Sequence, residues 1–298
     1  MIHVQKKNGT FPFSKGILAR SLAPTGIPID TIYRFIREIL DDLYREGIDT
    51  INSKALRERV FEKLRKNGYG DLEKYYLASR QIAKLDKPVI ILIGGASGVG
   101  KSVISAELGH RYGIERFIGT DLIREIMRYM TPKEINPILH ESSFNAESKV
   151  INPSVEDKLI YSFCEQSRIV CKGVNAYINR IIKEGLTYII NGVHLLPGFL
   201  SIAGDSAGSV HLFHYVLHIE DEQEHIRRFH LRSEHTRRPP SRYTDNIQKI
   251  RRIQDHYLQT AEKKGIMTIE NSDIDTTLET LMNDITGSLE EEFKHGKG

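Results

Sequence analysis

At 298 residues the chain exceeds one average domain, and 40% hydrophobic with 27% charged residues is the composition of a globular protein with a sizeable core. No apolar run reaches the ~20 residues of a membrane-spanning helix, the start MIHVQKKNGT lacks the apolar stretch of a secretory signal, and a formal net charge of +3 is too small to point to nucleic acid. Two cysteines, Cys164 and Cys171, form neither a disulfide framework nor a zinc spacing, so the cytoplasm is the expected compartment, with no membrane or nucleic-acid partner.

The first elements in chain order make a mostly helical unit. A strand-like start, Ile2 to Val4, meets the turn Asn8-Gly9. Helical spacing then links Ile32, Phe35, Ile36, Ile39, Leu40 and Leu43, and again Leu56, Val60, Phe61 and Leu64. The polar stretch Leu85-Asp86-Lys87-Pro88 marks a boundary, which gives domains of residues 1–87 and 88–298. The basic excess lies before that boundary and the remainder is net acidic. Either an anion ligand or a plain solvated surface accounts for it.

Beyond the boundary, short apolar runs alternate with amphipathic helical patterns. The runs Val89–Ile93, Arg116–Gly119, Thr187–Ile190, Tyr215–Ile219 and Ile266–Ile269 predict an α/β fold with a five-stranded parallel sheet flanked by helices. A long helix is expected from Asn152-Pro153, with Val155, Leu159, Phe163 and Val170 on one face. A last amphipathic helix runs through Ile274, Leu278, Leu281, Ile285 and Leu289.

Residues Gly95, Ala96, Ser97, Gly98, Val99, Gly100, Lys101 and Ser102 form a complete G-x-x-x-x-G-K-S between a predicted strand and a predicted helix. The glycines let the backbone curl so that successive N–H groups face one anion, and the helix start adds partial positive charge. Lys101 can reach the β- and γ-phosphates, and the Ser102 hydroxyl can ligate Mg²⁺. ATP and Mg²⁺ are therefore the expected ligands. The motif does not identify the acceptor. The chain lacks a guanine-reading N-K-x-D tetrad and a strand ending in Asp-Glu, which argues against a GTPase and a motor-type ATPase.

Asp121, just past the second strand, should face the phosphate loop, because ligands sit beyond the carboxyl ends of strands in such sheets. There it could orient or deprotonate an acceptor hydroxyl, or hold a water on Mg²⁺; a helix N-cap is the plainer role. Arg124 and Arg128 follow on nearly the same helical face, suited to a phosphorylated or carboxylated substrate or else simply solvated. Asn191 and His194, after the third strand, face the same way, and His194 is either a substrate contact or structural. The tract from Glu224 to Tyr243 carries Arg227, Arg228, Arg232, Arg237, Arg238 and Arg242 around Pro239-Pro240, the pattern of a closing lid. Arg237 and Arg238 are the expected catalytic pair, with Arg242 on the substrate.

The combination GGASGVGKS, TDLIREIMR, NGVHLLPG and the arginine tract resembles the archaeal 2-phosphoglycerate kinase family over essentially the whole chain. Within the first domain, KKNGTFPFSKG and the helical pattern after it resemble an ATP-cone, a small regulatory nucleotide-binding module. The resemblance implies ATP-dependent conversion of 2-phosphoglycerate to 2,3-bisphosphoglycerate, a step toward cyclic 2,3-diphosphoglycerate, on a P-loop kinase fold. It also implies regulatory nucleotide contacts at Lys6 and Lys7, and at Lys15. Asn191 stands where related kinases often carry an acid, which shifts any Mg²⁺ role toward Asp121. Two other readings stay open: a hydroxyl kinase of uridine- or pantothenate-kinase type, and a nucleotide-sensing regulator. The regulator lacks the cysteines of the expected zinc ribbon and leaves the phosphate loop unexplained. Association with further copies of the chain is also left open.

Overall fold

The computed structural model describes residues 2–6, 8–82, 85–201, 208–234 and 239–295, with side chains described except at 233–234 and 292–295. The chain divides into two compact units. One comprises Met1–Leu85, His110–Gly113 and Thr286–Gly298, the other Asp86–Gly109 and Ile114–Ile285. Among the described residues no helix is long and apolar enough to cross a membrane.

In the first unit, β1 (His3–Lys6) pairs antiparallel with β2 (Gly9–Pro12), His3 opposite Pro12 and Lys6 opposite Gly9. Helices α1 (Lys15–Leu22) and α2 (Ile29–Arg45) follow, then β3 (Thr50–Asn52), α3 (Ser53–Lys66) and α4 (Glu73–Ile82). β3 runs parallel to β1, so the sheet order is β2-β1-β3. Two of these strands escape a sequence reading because the exposed β2 and the three-residue β3 carry too few alternating apolar residues to show a period. The α2 face foreseen from helical spacing, Ile32 through Leu43, is buried, and Val60, Phe61 and Leu64 of α3 join the same core.

In the second unit the chain runs β4 (Val89–Gly94), α5 (Lys101–Tyr112), β5 (Phe117–Gly119), α6 (Thr120–Met130), α7 (Lys158–Glu184), β6 (Tyr188–Gly192) and β7 (His211–His218). Helices α8 (Glu222–Glu234), α9 (Ser241–Thr244) and α10 (Ile247–Lys264) and strand β8 (Met267–Glu270) follow, and helix α11 (Ile274–His295) closes the chain, its residues through Ile285 belonging to this unit and the rest, like the end of α5 from His110, to the first. All four strand pairings are parallel, in the order β5-β6-β4-β7-β8. β4 sits in the middle, and every residue of VIILIG is buried, as a strand covered on both faces requires. After β4 the chain builds one side of the sheet with β5 and β6, then the other with β7 and β8. The carboxyl end of β4, flanked by β6 and β7, is therefore the natural ligand position.

One expected helix start is corrected. Asn152-Pro153 does not open α7; the Asn152 side chain accepts from Ser154 N at 2.9 Å and closes a turn. The helix begins at Lys158, where the Asp157 carboxylate accepts from Ile160 N. Val155 therefore lies outside the helix, while Leu159, Phe163 and Val170 are buried on it as foreseen. In α11, Leu278, Leu281, Ile285 and Leu289 are buried, whereas Ile274 is exposed.

Candidate active site

The loop of residues 95–100 joins β4 to α5, and its curl is set by backbone geometry and by what lies behind it. Gly98 and Gly100 have φ of 88° and 90°, a region L side chains rarely enter. A Cβ at Gly98 would lie 2.5 Å from the Phe229 ring, and one at Gly100 would lie 2.4 Å from Asn271 Nδ2. Two side chains hold the loop from that side. His225 Nε2 donates to the Ser97 carbonyl at 2.7 Å, and Asn271 Nδ2 donates to the Val99 carbonyl at 2.8 Å. In a trans peptide the N–H points opposite the C=O. Holding those two carbonyls back therefore turns the amides of Gly98 and Gly100 the other way, as an anion cradle needs. Burial holds His225 neutral, its pKa pushed down to about 4 despite its bond to Ser97.

Ser97, Gly98, Gly100, Lys101 and Ser102 line a cavity of about 1120 Å³. Ala96 and Val99 are buried behind it, and Gly95 is packed against the Leu217 carbonyl, so these three offer backbone only. Lys101 Nζ donates to the Ala96 carbonyl at 2.6 Å. Burial lowers its pKa to about 8, with Asp121 opposing that fall and Arg232 adding to it. An arriving polyanion reverses the balance and fixes the ammonium form.

Asp121, on the first turn of α6, has a 62% exposed side chain and lines the same cavity, with Arg124 Nε 4.0 Å from its Oδ1. Arg124 also lines it, but its Nη1 donates to the Glu141 carbonyl at 2.5 Å. Arg128 pairs with Glu125 at 2.7 Å and is not among the lining residues, because seven residues of helix separate it from Asp121 at the cavity. Asn191 and His194 both line the cavity. His194, however, is fully buried, with Nδ1 against the Thr120 hydroxyl at 2.9 Å and Nε2 against Gln166 Oε1 at 3.2 Å. With both ring nitrogens engaged, it has none left for a substrate. The structural role is the one its surroundings support.

Four arginines of the expected lid, Arg227, Arg228, Arg232 and Arg242, line the cavity; Arg237 and Arg238 lie outside the described residues. Glu224 accepts from Arg227 and Arg228, bonds that bring its carboxyl down to about 2. Arg228 also donates to the Asn271 carbonyl at 2.5 Å. Phe229 stacks on Tyr243 with centroids 4.8 Å apart, and Arg232 lies over the Tyr243 ring at 5.5 Å. Sequence reasoning missed His225, Phe229 and Asn271 as loop supports, and Ser142, Ser143 and Phe144 as cavity lining. Asn271 was within reach, since it follows β8 as directly as Asp121 follows the second strand.

In the first unit a separate cavity of about 410 Å³ is lined by Lys6, Phe11, Lys54, Arg57, Tyr76 and Arg80, among others. Lys6 Nζ sits over the Phe11 ring at 5.5 Å. Lys15, at the start of α1, is not among the lining residues, and Lys7 lies outside the described ones.

No family model matches the chain. Curated relatives match it over nearly its whole length. It is 40% identical over 288 residues to a protein of Methanocaldococcus jannaschii named 2-phosphoglycerate kinase, covering 97% of this chain and 92% of that one. Proteins of the same name from Methanopyrus kandleri and Pyrococcus furiosus are 38% and 37% identical, covering 97% and 96% of this chain and 88% and 93% of theirs.

Proposed function

The chain belongs to the archaeal 2-phosphoglycerate kinase family, and from that premise we propose that it transfers the γ-phosphoryl group of ATP to the free hydroxyl of 2-phosphoglycerate, giving ADP and 2,3-bisphosphoglycerate. The observation that carries the reading is one cavity in which the curled loop, Lys101 and Asp121 meet five arginines, Arg124 and four of the expected lid. The loop amides and Lys101 take the triphosphate, which carries about four negative charges near neutrality. Leu231 and Ile274, apolar yet 44% and 43% exposed and lining the same cavity, give the base a surface to cover. Ser102 and Asp121 would hold the Mg²⁺ that accompanies ATP, whose charge offsets that of the phosphate oxygens.

On the acceptor side, Asp121 orients the attacking hydroxyl and receives its proton as the new P–O bond forms. The reaction has a loose transition state, so orientation counts for more than basicity. With Arg124 bonded to the Glu141 carbonyl and Arg128 outside the cavity, the acceptor's phosphate and carboxylate fall mainly to Arg232 and Arg242. Arg237 and Arg238, in the same tract, are the pair that meets charge developing on the transferred group.

The first domain is an ATP-cone that binds a regulatory nucleotide. Its support is the cavity at Lys6, where Lys54, Arg57 and Arg80 supply further positive charge and Phe11 and Tyr76 supply aromatic faces. The test of the activity is ADP release with 2-phosphoglycerate beside uridine and pantothenate. Turnover that 2-phosphoglycerate does not raise above the other acceptors contradicts the assignment.

A further inference from the structure

Gln166 stands in the interior of α7, far in sequence from every motif above, and is completely buried. Its amide nitrogen donates to the carbonyls of Ile138 and Glu141 at 2.6 and 3.0 Å. That fixes which end of the amide faces His194: the oxygen, 3.2 Å from Nε2. An amide oxygen only accepts, so Nε2 carries the imidazole proton and Nδ1 accepts. The Thr120 hydroxyl, 2.9 Å from Nδ1, must then donate. Every proton from Thr120 through His194 and Gln166 points one way, toward the carbonyls of residues 138–141. Burial keeps His194 neutral, with its pKa near 3, so this direction holds at neutral pH.

The two ends of that chain are the two sides of the acceptor space. Thr120 immediately precedes Asp121 at the start of α6. The Glu141 carbonyl leads directly into Ser142, Ser143 and Phe144, which line the cavity. Arg124, one turn along α6, grips the same Glu141 carbonyl. Thr120, His194 and Gln166 are all fully buried. Apolar side chains could fill that space, but they could not specify the orientation that a fully satisfied buried network imposes.

We propose that Gln166 is a positioning residue for the phosphoryl acceptor: its amide, tied through His194 and Thr120 to the start of α6, fixes the Ser142–Phe144 loop against Asp121 and so governs acceptor binding rather than nucleotide binding. This role rests on the reading of the cavity as a 2-phosphoglycerate kinase site.

Gln166→Met in the full chain keeps length and volume and removes both hydrogen-bonding ends. Its KM for 2-phosphoglycerate should rise roughly ten-fold while its KM for ATP stays within about two-fold. In the substrate-free variant, amide hydrogen exchange should quicken over residues 138–145 and stay unchanged over 95–102. Thr120→Val, an isosteric break at the far end, should show the same selectivity, and it decides the matter if Gln166→Met fails to fold. Equal rises in both KM values, an unchanged acceptor KM, or unchanged exchange at 138–145 would overturn the role. Wild-type turnover separates the two ideas. Its absence with 2-phosphoglycerate sinks the activity and this role together, whereas a working wild type with unselective variants sinks the role alone.

Discussion

On the donor side of the cavity, one contiguous stretch, residues 95–102, supplies the anion cradle, the ammonium and the metal-binding hydroxyl, and its shape follows from left-handed glycines braced by His225 and Asn271. The acceptor side has no such stretch. It is assembled from the start of α6, residues 139–144 and the segment after β6, brought together by hydrogen bonds between residues 15 to 74 apart in sequence, with α9 joined to them by the Tyr243 ring against Phe144. The contrast follows from what each side binds. A triphosphate is recognised by backbone amides, whose placement is a local property of the chain. A small acid with its own phosphate needs charged side chains converging from several directions, and that is a property of the whole fold.

The contrast can be broken at either side. The largest effect is expected at Lys101→Ala, which should lower kcat/KM by about 10³-fold with the thermal midpoint nearly unchanged. Retained turnover would show that the lysine is not part of the cradle. Asp121→Asn should lower kcat by ~10²-fold and leave ATP affinity within a few-fold, because it removes the proton acceptor while Ser102 remains to hold the Mg²⁺ and the loop amides and Lys101 remain to hold the phosphates. Isothermal titration with ATP beside steady-state rates separates those quantities. Gly98→Ala forces a Cβ into a left-handed position against Phe229, with an expected loss of ~1–3 kcal/mol of stability and of ATP binding with it. A variant as stable as the parent in urea would mean the loop readily rearranges.

Asn271→Ala sharpens the comparison, because it strips a brace from the donor side alone. It leaves the Val99 carbonyl without this donor and should raise the KM for ATP several-fold, cost about 1 kcal/mol in stability, and spare the acceptor KM. Acidification is the mildest probe and touches both sides. Burial is the leading cause that lowers His194, His214 and His225 from 6.5, to about 3, 4 and 4. The unfolded chain binds protons at these sites near pH 6.5 and the folded chain only near pH 4 or below. Their contribution is thus complete above pH 6.5 and lost as pH falls toward 4. The thermal midpoint should be lower at pH 5 than at pH 7; an unchanged midpoint would mean that these imidazoles are not held neutral.

What could be read from the sequence divides along the same line. The five parallel strands were legible because apolar runs such as VIILIG are contiguous, and the phosphate loop because all its parts fall within eight residues. Asp121 could be placed because it directly follows a strand. Arg128 could not be separated from Arg124 by helical spacing, since both share nearly one face and only the reach of the cavity tells them apart. The loop at Ser142–Phe144 left no trace, because residues 131–151 have no helical or strand period. The part of Gln166 was equally hidden: a glutamine inside an amphipathic helix looks like any polar position until its long-range partners are known.

The central claim is that one cavity joins ATP to 2-phosphoglycerate, and phosphorus NMR of the products tests it most directly. With ATP, Mg²⁺ and 2-phosphoglycerate, the wild-type chain should convert the single phosphomonoester of the acceptor into the two of 2,3-bisphosphoglycerate, one ADP appearing per molecule formed, and Lys101→Ala should leave the spectrum unchanged. ADP accumulating beside unaltered 2-phosphoglycerate, or equal conversion by Lys101→Ala, would contradict the account.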